Sequence, residues 1–249
     1  MAGSGGWSGV GEIVAGRNPV RELLRAGRRG VHEVLATARV AGEEWLLAAA
    51  VPVRIVERSQ LDELAGVEHQ GVVALADRYP YVDADALLAE RDALVLALDE
   101  VQDPHNFGSV CRIADAVGAS GVVICERRAV GVTAAVCRAS AGAVEHVRVA
   151  RVKTLPRWLE RAKEAGAWVY LADVEGDPWH RYDYSGRVVL VFGSEGRGAR
   201  RTVRAVSDAV VALEQRGRVG SLNVAAAAAA LAYGVSALRQ GILQPKDCS

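Results

Sequence analysis

Val188-Val189-Leu190-Val191-Phe192, followed at once by Gly193-Ser194-Glu195-Gly196-Arg197-Gly198, is the stretch that decides the fold. Five consecutive apolar residues ending in a glycine turn read as a strand buried on both faces, as in a parallel sheet covered by helices. The pattern recurs twice. Leu94–Leu98 leads into Asp99-Glu100-Val101-Gln102-Asp103-Pro104-His105-Asn106-Phe107-Gly108-Ser109-Val110-Cys111-Arg112, and Val210–Leu213 leads into Arg216-Gly217-Arg218-Val219-Gly220-Ser221-Leu222-Asn223-Val224. Further strands are expected at Val122–Cys125, Val147–Val149 and Trp168–Ala172, with helices at Phe107–Val117, Ala134–Ser140, Leu155–Ala165, Arg200–Val206 and Leu222–Gln240. Strands alternating with helices predict an α/β fold with a mostly parallel sheet, and such sheets bind ligands at the carboxyl ends of their strands. All three glycine-bearing segments lie there.

Upstream, a second and smaller α/β unit is expected. Asn18-Pro19 reads as a cap and first helical residue of a helix through Ala26. Val31–Thr37 reads as a strand, Glu43–Ala50 as a helix and Val53–Val56 as a strand. Ser59-Gln60-Leu61-Asp62 resembles a capping box, and Gly71–Ala76 a buried closing strand. Tyr79-Pro80-Tyr81-Val82-Asp83 breaks the alternation, and a short helix, Ala84–Arg91, follows. The expected organisation is a flexible start over 1–11, a small domain over 12–78, a linker over 79–92 and a larger domain over 93–249.

Composition is that of a folded globular chain, 51% hydrophobic and 24% charged over 249 residues. No apolar run approaches the roughly 20 residues of a membrane span, and the glycine-rich start lacks a signal peptide's apolar core, so a cytoplasmic protein without membrane partners is expected. Cys111, Cys125, Cys137 and Cys248 form no CxxC pair, which points to free thiols and no metal. Net charge is zero, yet residues 1–90 carry nine Lys+Arg against thirteen Asp+Glu and residues 91–249 carry twenty-one against seventeen. The positive excess accompanies the motifs, and only Lys153, Lys163 and Lys246 among thirty basic residues are lysine. Arginine suits bidentate phosphate contacts.

Each motif has a chemical and a structural reading. Asn106 can serve a site or cap the helix it opens. Arg112 interrupts an apolar run and needs either an anionic ligand or a salt bridge with Asp99, Asp115 or Glu195. The GxxGxG spacing of residues 193, 196 and 198 fits neither the dinucleotide fingerprint nor the phosphate loop, but permits close backbone approach to a ligand. Glu195 within it could hold a hydroxyl, an amine or an arginine, or simply be solvated. Arg197, Arg200, Arg201 and Arg204 recur at i, i+3, i+4 and i+7, which would place them on one helical face as a phosphate-binding stripe or a solvated one. Ser221 or Asn223 caps the last helix, whose six consecutive alanines, Ala225–Ala230, permit close approach of another backbone.

Together, in this order, the segments resemble the three motifs of the SpoU (TrmH-like) branch of the SPOUT RNA methyltransferases. Gly16-Arg17-Asn18-Pro19-Val20 and His69-Gln70-Gly71-Val72-Val73 resemble the substrate-binding domain of its RlmB-type members, which has a ribosomal-protein-like fold. The resemblance implies a carboxyl-terminal trefoil knot, S-adenosylmethionine as methyl donor, a homodimer with the active site at the subunit interface, and methylation of a ribose 2′-hydroxyl in RNA. It assigns Gly193, Gly198, Leu213 and Leu222 to the cofactor pocket. It makes Arg112 the main catalytic residue, with Asn106, Glu195, Ser221 and Asn223 completing the site. A guanidinium is effectively always protonated, so Arg112 reads first as an electrostatic clamp on a phosphate or developing alkoxide.

The separate amino-terminal domain favours a guanosine of large-subunit (23S) ribosomal RNA as target. Transfer RNA, an antibiotic-resistance site in ribosomal RNA, and a non-catalytic RNA-binding role are the alternatives, while the absence of GxGxxG disfavours a nucleotide-dependent oxidoreductase. Two positions depart from the family pattern. Leu213-Glu214-Gln215 stands where many members have Ile-Pro-Met, and Ala225 stands where serine is common.

Overall fold

A computed structural model describes residues 11–218 and 220–243, which fall into two compact units that divide between Pro80 and Tyr81. The expectations for residues 1–10, Val219, Lys246 and Cys248 lie outside the described residues.

The first unit contains β1 (Gly11–Ala15), α1 (Arg17–Ala26), β2 (Val31–Ala36), α2 (Ala38–Ala41), α3 (Glu44–Leu47), β3 (Val53–Ile55), α4 (Arg58–Ala65) and β4 (Val72–Asp77). Its sheet runs β1-β4-β2-β3, with β4 antiparallel to both neighbours. Ala15, Leu35, Leu61 and Val73 form a small core beneath α4. Several local expectations are corrected. Gly16, at φ +107, is the N-cap of α1, so Asn18 and Pro19 lie inside the first turn. The capping box pairs Glu57 with Gln60, two residues earlier than expected. The helix expected over Glu43–Ala50 is a single turn, and β1 occupies residues for which no strand was expected. His69 is fully buried: its Nδ1 accepts from the Gly71 amide at 2.9 Å and its Nε2 lies 2.9 Å from Asp62 Oδ1.

The second unit begins with a 3-10 turn at Asp85–Leu88, in place of the expected helix. It continues with β5 (Leu94–Asp99), α5 (Pro104–Ala116), β6 (Gly121–Cys125), α6 (Ala134–Ala139), β7 (Val149–Val152) and α7 (Leu155–Glu164). Then come β8 (Trp168–Pro178), β9 (Val188–Gly193), α8 (Arg201–Val206), β10 (Ala209–Ala212) and α9 (Val224–Arg239). All six strands are parallel, in the order β10-β8-β9-β5-β6-β7. Alternating side chains fill two cores, as the pleat requires. Val95, Ala97, Val189 and Val191 pack with Trp158 and Leu159 of α7 and Val203 of α8. Leu96, Leu98 and Phe192 are equally buried, and α5 and α9 pack on each other. The chain runs outward from β5 through β6 and β7, then returns to the far side, so β5 and β9 flank the point where strand order reverses. Open α/β sheets form their binding crevice at such a point.

Candidate active site

The loops after β5, β9 and β10 meet at the carboxyl edge of the sheet. Asp99 pairs with Gly193 in register, which brings the start of motif one beside the glycine turn. The turn folds back on itself: Ser194 and Gly198 exchange backbone hydrogen bonds of 3.1 and 2.9 Å. A side chain at residue 193 would lie 2.2 Å from the Ala199 amide nitrogen, and Gly198 holds φ +66, so these two positions need glycine.

Over this turn opens a cavity of about 540 Å³. Val211, Leu213, Leu222, Ala227 and Leu231 give it apolar walls, and Asp173, Glu195, Gln215 and Ser221 give it polar ones. That size and mixture suit a small organic ligand with a flat apolar part and a few hydrogen-bonding groups. A second, polar cavity of about 270 Å³ shares Ser194, Glu195, Arg197 and Val224 with the first and adds Gln102, Asp103 and Asn106.

Between the two cavities stands a hydrogen-bonded cluster drawn from all three motifs. Asn106 Nδ2 donates to Glu195 Oε1 at 3.0 Å, and Asn223 Nδ2 donates to both Asn106 Oδ1 at 2.9 Å and Glu195 Oε1 at 2.5 Å. Asn223 is also the N-cap of α9, its Oδ1 accepting from the amides of Ala225 and Ala226. Asn106 caps nothing. Asp103 caps α5 instead, accepting from the amides of His105 and Asn106, with Pro104 in the first turn. A better-placed aspartate therefore leaves the 6%-exposed Asn106 amide free to orient the carboxylate. Both donors converge on Oε1 of Glu195, and Oε2 carries no protein hydrogen bond among the described residues.

Gly193, Gly198, Leu213, Leu222, Glu195, Ser221 and Asn223 all line the larger cavity, and Asn106 lines the smaller. Arg112 does not join them. It projects from the exposed side of α5, lines neither cavity and has no ion-pair partner among the described residues. Asp99, one of its expected partners, is taken by Arg200 at 2.5 Å. The four-arginine stripe is corrected as well. Helix α8 starts only at Arg201, Arg200 turns inward, and Arg204 pairs with Asp173 at 2.6 Å, leaving Arg197 and Arg201 exposed. Sequence reasoning overlooked Asp173 and Val211. Asp173 directly follows the expected strand Trp168–Ala172, so the rule that ligands gather at strand carboxyl ends would have found it.

Two family models match the chain. Residues 93–233 match the SpoU rRNA methylase family, and residues 13–82 match "RNA 2'-O ribose methyltransferase substrate binding". The chain belongs to the SpoU rRNA methylase family. YacO of Bacillus subtilis (strain 168), whose name places it among TrmH-family tRNA/rRNA methyltransferases, is 40% identical over 235 residues, covering 90% of this chain and 94% of YacO. The SpoU methyltransferase AviRb from Streptomyces viridochromogenes, solved in complex with AdoMet, superposes with a TM-score of 0.80 at 26% identity, covering 94% of this chain and 91% of AviRb. A solved chain connected with "2-OH methylation of C/U34 on tRNA" superposes with a TM-score of 0.55 at 26% identity, covering 60% of this chain and 97% of its own. The chain is thus an RNA methyltransferase by family, and its methyltransferase unit carries the cavity.

Proposed function

We propose that the protein transfers a methyl group from S-adenosylmethionine to a ribose 2′-hydroxyl of RNA, with a guanosine of large-subunit ribosomal RNA as target. The observation that carries this reading is the Asn106–Glu195–Asn223 cluster standing between a donor-sized cavity and a smaller polar one. The residues fit the donor: apolar Leu213, Leu222 and Val211 would enclose the adenine, and Gln215 offers a partner for its polar edge. When bound, the donor supplies an electrophilic methyl group on a sulfonium. The protein must then hold the hydroxyl in line and manage its proton.

Glu195 accepts that proton through its free oxygen, while the two amide groups fix its orientation and hold the carboxylate in place. Ser221 and Asn223 border the path of the hydroxyl. Arg112 enters the site from a second copy of the chain and steadies the RNA phosphate or the developing alkoxide. Support for that dimer comes from α9, whose outward face offers Ala226, Ala230 and the half-exposed Tyr233 to close packing. The trefoil threading belongs to the same reading: the chain leaves edge strand β10 after Ala212, and Asn223 lies against Asn106 in the first turn of α5, the helix that follows central β5. The separate substrate-binding unit supports a ribosomal over a transfer RNA target, while the likeness to the tRNA-associated chain, over 60% of this chain and 97% of its own, favours the second reading, transfer RNA.

The test is tritium transfer from labelled S-adenosylmethionine to unmodified 23S ribosomal RNA and to transfer RNA transcripts. Incorporation into ribosomal RNA that Arg112→Ala abolishes, with donor binding near normal, is the expected result. Incorporation into neither RNA would defeat the reading, and incorporation into transfer RNA alone would replace the target.

A further inference from the structure

Asp99 and Arg200 have no part in the cluster described above, yet they make the most fully satisfied charged pair near it. Asp99 ends the central strand β5 and its side chain is 1% exposed. Both carboxylate oxygens are engaged by one residue: Oδ2 accepts the Arg200 backbone amide at 2.9 Å, and Oδ1 accepts Nε at 2.8 Å and Nη2 at 2.5 Å. The remaining guanidinium nitrogen, Nη1, lies 3.2 Å from Glu100 Oε1. The Asp99 hydrogen bond holds the guanidinium above its ordinary pKa. Arg200 is also the N-cap residue of α8 and comes directly after the turn that carries Glu195. Closed at its base by the Ser194–Gly198 bonds, that turn is anchored at one end by Gly193 on β9 and at the other by Arg200 on Asp99.

We propose that Asp99 and Arg200 are a positioning pair: they fix the 193–199 turn so that Glu195 meets Asn106 and Asn223, and Arg200 takes no RNA phosphate. The inference rests on the reading of this site as a methyl-transfer centre. The physical argument is twofold. A nearly dry carboxylate that loses its paired cation, or the reverse, is left uncompensated, so the turn must move to rehydrate it. A displacement of about 1 Å at a reacting group costs about 100-fold in rate. Charge alone is not enough, because only a guanidinium spans the backbone-facing and outward positions in one plane.

The test uses the full chain with Asp99→Asn, Arg200→Gln, Arg200→Lys and the Asp99→Asn/Arg200→Gln double variant. Turnover and KM are measured on whichever RNA the wild type methylates, together with the Kd for S-adenosylmethionine by calorimetry, all well below each variant's melting temperature. Positioning predicts that kcat falls about 10- to 100-fold in each glutamine or asparagine variant, with KM for RNA little changed. The double variant should be no worse than the poorer single one, donor Kd should rise in all, and Arg200→Lys should recover part of kcat over Arg200→Gln. A raised KM with unchanged kcat in Arg200→Gln, joined by tighter RNA binding in Asp99→Asn, would make Arg200 a phosphate ligand and overturn the proposal. Lowered melting temperatures with unchanged kcat and donor Kd would also overturn it. If the neutral variants do not fold, Arg200→Lys decides: wild-type kcat and donor Kd in that variant refute the pair. Failure of the underlying reading shows separately, as a wild type that methylates no RNA, and donor Kd then judges the pair by itself. A wild type that binds no donor sinks both.

Discussion

Replacing Asn223 separates two roles that one side chain performs. Its Oδ1 caps α9 through the amides of Ala225 and Ala226, and its Nδ2 holds Asn106 and Glu195. Asn223→Asp keeps the cap, since aspartate is as good an N-cap residue as asparagine, and gains from the helix dipole. It replaces the shared donor by a second carboxylate against Glu195 Oε1. For unit charges about 4 Å apart the repulsion lies between about 1 kcal/mol in water and about 4 kcal/mol at an effective dielectric near 20. Such repulsion makes the second carboxylate of the pair harder to ionise. The acidic limb of the rate profile therefore moves to higher pH, since a carboxylate that must be ionised now ionises later. Asn223→Ala loses cap and donor alike, which costs about 1 kcal/mol of stability and lowers Tm by about 2–4 °C. The assay is kcat against pH for both variants, paired with thermal melts. Expected are a displaced acidic limb for Asn223→Asp, with a Tm that the like-charge repulsion lowers at neutral pH and that recovers as the pair protonates, and a lowered Tm with reduced kcat but no displaced limb for Asn223→Ala. Unchanged kcat and pH profile in Asn223→Asp would refute the assignment of its amide to the site.

Glu195→Gln keeps the oxygen that receives both amides but removes the proton acceptor, so kcat should fall about 100- to 10,000-fold while calorimetric donor affinity stays close to wild type. Gly193→Ala pushes a methyl group into the backbone of Gly198 and Ala199, and calorimetry should show donor binding lost in a protein that still folds. Exposed Arg197 and Arg201, replaced together by Gln, should raise KM for RNA and reduce the slope of log affinity against log salt by about 0.7 to 0.9 per lost phosphate contact. Burial raises Tyr170 to about 12 and Tyr184 further still. Because the unfolded tyrosines ionise near their ordinary value of 10, the stability held by their neutral folded forms is fully present below about pH 10 and drains away toward pH 12. Denaturant midpoints should drop over that window, and less so in a Tyr170→Phe/Tyr184→Phe variant.

The sheet was legible because β5 and β9 are buried on both faces and so consist of unbroken apolar runs. Helix starts were less legible, since neighbouring residues compete for one cap. Asp103 wins over Asn106, Gly16 over Asn18 and Glu57 over Ser59, and each outcome depends on backbone geometry that composition does not encode. The cavity walls from motifs two and three could be named in advance because the resemblance to the family's motifs assigned them, while glycine spacing alone marked only where the chain turns back. Arginine partners could not, because ion pairing joins residues far apart in sequence: Arg200 to Asp99 and Arg204 to Asp173 convert half of an expected phosphate stripe into internal bracing. The same competition leaves Arg112 unpaired among the described residues, although the run around it suggested a buried partner.

The central claim is methyl transfer to ribose, and the product tests it most directly. Unmodified 23S ribosomal RNA incubated with the protein and S-adenosylmethionine, then digested to nucleosides and separated by mass spectrometry, should yield 2′-O-methylguanosine from one position. Methyl groups found on a base, or none found on any RNA offered, would contradict the account.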